Sequence, residues 1–143
     1  MAYFELRTPR DMLDKARREH KRLTERVDID NVFNFFVTAY HVKDYVEKKA
    51  SVPQIALESF LADPDIKDCR DLCDKAKHLT LTKRSDPVTH IFSGDIGGAE
   101  IGELELGGND KWVLLTGDRE VDVERLTEKV LQKWQTFFQK HDL

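Results

Sequence analysis

The chain has 143 residues, 40% hydrophobic and 35% charged, with a formal net charge of −4. That length predicts one domain large enough to bury a core, and the balance excludes disorder over most of the chain. No apolar run approaches the roughly 18–20 residues needed to cross a bilayer.

The opening Met1-Ala2-Tyr3-Phe4-Glu5 lacks the basic and apolar regions of a secretory signal, and the chain has only two cysteines. A reduced, cytoplasmic setting is the expectation. All four prolines (Pro9, Pro53, Pro64, Pro87) precede residue 88, and all seven glycines lie between 94 and 117. Proline is tolerated at helix starts, whereas glycine supplies the positive φ of hairpin turns. The partition predicts an α+β fold in a single domain, 1–143. It comprises an N-terminal bundle of about four helices (8–86), a small antiparallel β-meander (88–121) and a C-terminal amphipathic helix (122–141).

The first helix should start at Thr8 as N-cap with Pro9 at its first position, and Asp11 completes a weak capping box. Met12, Leu13, Ala16, Leu23 and Val27 fall on one face, with His20 on the same inward side. Arg17, Arg18, Lys21, Arg22 and Arg26 crowd the rest. A second helix over about 30–49 carries apolar residues nearly round its axis, which makes it the most buried. Pro53 opens a short third helix that runs to Leu61. Asp63-Pro64 opens a fourth over about 65–79, with Ile66, Cys69, Leu72, Cys73, Ala76 and Leu79 inward.

Strands are expected at 88–93, 99–106 and 112–116, with a short fourth at 119–121. The turns between them use Gly97-Gly98, Gly107-Gly108 and Gly117-Asp118. In the closing helix, Leu126, Val130, Trp134, Phe137 and Phe138 form a stripe that should dock on the sheet or the bundle.

A polar row interrupts the second helix. Asn34, Thr38, His41 and Tyr45 recur at i, i+4, i+7 and i+11, within about 60° of rotation. Buried amide, hydroxyl and imidazole groups cost roughly 1–3 kcal/mol each if unpaired, so something must meet them. Either a hydrogen-bond network fixes the helix register, or the row lines a ligand-binding or catalytic cleft, with Lys77 joining Asn34, Thr38 and Tyr45 as ligand contacts. On the fourth helix, Asp74 and His78 form an i, i+4 pair, commoner as a surface ion pair than as metal ligands. A metal site from His41, Asp44, Asp74 and His78 is a third option, but no metal or cofactor is expected. Cys69 and Cys73 read as small core residues.

The order Arg70, Asp71, His78 on a late helix resembles the motif of the HEPN superfamily, small helical bundles common in toxin–antitoxin and phage-defence proteins. Some of its members are metal-independent ribonucleases. The arginine-to-histidine separation is eight here, one more than the longest usual spacing. The resemblance implies Arg70 as a stabiliser of phosphate charge, His41 or His78 as acid or base, Asp71 as the group orienting Arg70, and RNA as the partner. The phenylalanine-rich helix Asn34-Phe35-Phe36-Val37-Thr38-Ala39-Tyr40-His41, the Arg-Asp-Leu…Lys-His segment and the closing strand–turn–strand–helix with Trp134 also resemble a family of bacterial helical-bundle proteins without an established activity. That second likeness implies a shared fold over most of the chain.

Residues 1–26 hold eight basic and five acidic side chains, while 94–110 hold five acidic and no basic ones. The acidic neighbours and the missing aromatic platform favour a solvated first helix over a nucleic-acid surface. The leading expectation is a cytoplasmic, non-enzymatic module that binds a ligand or a protein partner, with a homodimer as one form and no membrane. The alternative is the HEPN-type ribonuclease.

Overall fold

A computed structural model describes residues 5–78, 81, 86–92, 111–116 and 119–143, with the side chains of residues 78 and 89–92 outside that description. The strand read at 99–106, its flanking turns, Gly117-Asp118 and Leu79 lie outside the described residues.

Local capping sets the helix starts. Thr8 accepts from the Asp11 N–H at 3.0 Å and donates its own N–H to the Asp11 carboxylate at 2.9 Å, so the box is reciprocal and Pro9 begins α1 (Pro9–Glu25). Asp28 caps α2 (Ile29–Lys49) by accepting from Asn31 N–H at 2.8 Å. Pro53 precedes α3 (Gln54–Leu61) without a side-chain cap, and α4 begins at Pro64 (Pro64–His78). Asp122 caps α5 (Val123–Lys140) through the Arg125 N–H at 3.1 Å.

Among the described residues the sheet has three antiparallel strands in the order β1 (Val88–Phe92), β2 (Lys111–Thr116), β3 (Arg119–Asp122). Val88 faces Leu115, Phe92 faces Lys111, and Thr116 faces Arg119. β1 therefore pairs directly with β2. Trp112, Val113 and Leu114 are buried in succession, so this central strand is covered on both faces there. The α+β expectation holds.

The final helix packs against both the bundle and the sheet, touching α1, α2, α4, β2 and β3. Trp134, Phe138, Leu126 and Val130 are fully buried in one core with Leu13, Phe35, Phe36 and Leu114. Each such side chain contributes roughly 1.5–3 kcal/mol relative to exposure. Arg10 lies 5.3 Å over the Phe138 ring and donates to the Leu143 carbonyl, fastening the end of α5 to α1.

Two expectations about faces change. Helix α2 buries Val32, Phe35, Phe36, Ala39, Val42 and Val46, yet Phe33 is 44% exposed, so it keeps a wet edge. Ala76, expected inward on α4, is exposed beside Phe33 and Trp112. Helix α4 instead buries three acids, Asp65, Asp68 and Asp71, at i, i+3 and i+6.

Candidate functional site

The polar row of α2 is only partly drawn inward. Thr38 is buried and its hydroxyl accepts from Lys15 Nζ at 3.4 Å. Tyr45, half-buried, donates its hydroxyl to the Leu6 carbonyl at 3.2 Å. His41 is half-buried: its Nδ1–H donates to the Val37 carbonyl at 2.6 Å, which leaves Nε2 to accept from Lys77 Nζ at 2.8 Å. Asn34, at the outer end, is exposed, so the expectation of a continuous inward row is corrected there. The row thus meets three different neighbours: α1, the segment before it, and α4. Most of its polar atoms are already satisfied within the chain, the register-fixing arrangement.

Arg70 is gripped by its sequence neighbour: Nε and Nη2 lie 3.0 and 2.9 Å from the same Asp71 oxygen. His78 belongs to α4, but its side chain lies outside the described residues. Among the described residues no three His, Cys, Asp or Glu side chains converge as metal ligands. Cys69 and Cys73 are buried and unpaired. Burial pushes the Cys69 thiol well up and the Cys73 thiol up to about 11, which makes both poor nucleophiles.

A second polar assembly joins α4 to the later elements. Lys133 of α5 reaches Asp63 and Asp65, each at 2.7 Å, and Arg119 of β3 lies 3.5 Å from Asp65 and 3.2 Å from Asp68. Burial works to raise the Asp65 carboxyl, but the hydrogen bond and charge of Lys133, with Lys129 and Arg119, bring it below the usual range. Asp68 goes the other way. Burial pushes its carboxyl up, with Asp65 and Asp71 adding to the push, and Oδ2 is not aligned with Arg119 for a hydrogen bond.

Another open concavity lies elsewhere, between α3 and α5, with a volume of about 670 Å³. Its floor is aromatic: the Phe60 ring sits 4.7 Å from Phe137, and Phe137 sits 4.4 Å from His141, with the buried Trp134 behind Phe60 at 4.4 Å. Ile55, 73% exposed, and Ala56 add aliphatic surface from α3. Lys129, Lys133 and Lys140 stand along the α5 side with Gln132 and Thr136, and Ser59 stands on the α3 side. Lys133 is neutralised by Asp63 and Asp65, whereas neither Lys129 nor Lys140 forms an ion pair among the described residues. Lysine stems extend the apolar wall while their ammonium groups stay at the rim.

Reading the helices for polar interruptions finds the α2 row and misses this groove. The signal was nonetheless present. Lys129, Lys133, Thr136 and Lys140 repeat the spacing i, i+4, i+7, i+11 on α5, beside the aromatic stripe rather than inside it. No sequence-family model, curated protein or solved structure matches this chain. No described helix is long and apolar enough to cross a membrane.

Proposed function

We propose that this protein is a non-enzymatic ligand-binding module whose site is the groove between α3 and α5. The observation that carries the reading is the pairing of an aromatic floor with a rim lysine, Lys140, that forms no ion pair among the described residues. A volume of about 670 Å³ falls within the roughly 300–1,000 Å³ typical of small-molecule sites. An apolar body with acidic character suits such walls. Anilinonaphthalene sulfonate, an aromatic anion, should bind with enhanced fluorescence, and Ser59→Trp, a substitution at an exposed position, should weaken binding at least tenfold without lowering the thermal midpoint. Undiminished binding by that variant would refute the site.

Two buried, unpaired thiols support a reduced, cytoplasmic setting; a disulfide between them in protein isolated under thiol-blocking conditions would contradict it. Exposed Ile29 and Phe33 support a homodimer, to which a monomer by sedimentation at high concentration would be fatal. The HEPN-type reading is favoured by one observation, the Asp71 carboxylate clamped on Arg70 and able to orient it. It predicts RNA cleavage without added metal, lost in a His41→Ala, His78→Ala double variant. Cleavage that persists in the double variant would exclude those roles.

A further inference from the structure

We infer that the α3–α5 groove takes a single-chain anionic amphiphile, with its acidic head at the Lys140 end and its apolar tail along the aromatic floor; the inference rests on the groove being the binding site.

The direction follows from how the two helices run. Asp63, just past the end of α3, meets Lys133 at 2.7 Å, while Phe60, a turn earlier, meets Phe137, a turn later on α5. The helices are therefore antiparallel along the groove, which carries the start of α3, with Ile55 and Ala56, toward Lys140 and His141. At that end Lys140 is exposed and makes no ion pair among the described residues. The first turn of α3 receives no side-chain cap from Pro53, and although the Ala56 N–H donates to the Pro53 carbonyl at 3.0 Å, those of Gln54 and Ile55 add a weaker attraction for an anion beside the lysine.

The opposite end is electrostatically closed. There Lys133 is saturated by Asp63 and Asp65, and the field of Lys129 is partly spent on Asp65. A second anionic group would meet two carboxylates there, so one charged end and one uncharged end fit best. From Lys133 to Lys140 the groove runs about two helical turns, or roughly 10 Å, with Phe60 against Phe137 midway and Ile55 and Ala56 adding apolar surface. The groove is open along its length, which suits a linear molecule whose head stays in water contact at the rim. Each methylene fully removed from water along the groove should tighten binding about fourfold.

Free carboxylates and phosphate monoesters share this head chemistry, and the same titration separates them. Calorimetric titration of the full chain would use octanoate, octyl phosphate and octanol. One or both anions should bind at least tenfold tighter than octanol, and Ser59→Trp should remove their binding. Lys140→Gln should cut the anion affinity about fivefold and leave octanol unchanged; Lys129→Gln should have a smaller effect. Tighter octanoate binding assigns a fatty-acid-like head, and tighter octyl phosphate binding a phosphomonoester head. Equal affinity for octanol, or a Lys140→Gln variant that binds the anions as well as the parent, overturns the amphiphile assignment while leaving the groove as a site. If none of the three probes binds, the assignment is again overturned, and the fluorescence of anilinonaphthalene sulfonate with and without Ser59→Trp judges the groove independently.

Discussion

Asp68 illustrates how a single buried carboxylate can work against its own fold. Its side chain is 6% exposed, flanked by Asp65 and Asp71, and opposed by Arg119 and Arg70. Burial, the largest effect, raises its carboxyl above the usual value of 3.8. A group whose folded-state value is raised binds protons more readily when folded, so its penalty is fully present at neutral pH. That penalty fades as pH falls through the raised value toward 3.8. Asp68→Asn should therefore stabilise the protein at neutral pH, by on the order of 1 kcal/mol, because Arg119 keeps Asp65 as a partner. Urea denaturation at pH 7 and pH 4 would check it, with the advantage of the variant shrinking at the lower pH; a variant less stable than the parent at pH 7 would show that the ion pair outweighs burial. Asp11 has the opposite sign. Backbone hydrogen bonds from Arg7 and Thr8 hold its carboxyl low, so its contribution is present above the unfolded value of 3.8 and is lost as pH falls through the folded one.

Elements differ in how much of their stability is local. The start of α1 depends on neighbours three residues apart, Thr8 and Asp11. Thr8→Ala should remove one cap, at a cost of about 1 kcal/mol. The closing helix depends on the whole molecule, since Leu126 is fully buried in the core shared with the bundle and sheet. Leu126→Ala should cost about 2–5 kcal/mol, depending on how far the cavity collapses. Denaturant midpoints of the two variants test this contrast, and similar losses would mean that α5 is less integral than its burial implies. The same division explains what the sequence makes legible. Caps, prolines and apolar periodicity are local, and they locate the five helices to within a residue or two. Asp65, Asp68 and Asp71 look like a solvated face in sequence because the groups that bury and pair two of them, Arg119 and Lys133, come from β3 and α5. The row on α2 is legible as spacing, but spacing alone does not say that Asn34 is wet while Thr38 faces Lys15.

For the molecule as a whole, function is placed where two distant segments meet. The groove joins Phe60 of a short, weakly amphipathic helix to Phe137 of the last helix, and neither segment announces a site alone. The α2 row, conspicuous in sequence, is largely consumed by the chain's own hydrogen bonds, whereas Lys140 of α5 keeps its charge in reserve at an apolar wall. The measurement that bears most directly on this is chemical-shift mapping of isotope-labelled protein titrated with anilinonaphthalene sulfonate. The shifted amides should cluster at Ile55, Ser59, Phe60, Thr136, Phe137 and Lys140. Shifts centred instead on Asn34, His41 and Tyr45, or on exposed Ile29 and Phe33, with the α3–α5 groove silent, would contradict it.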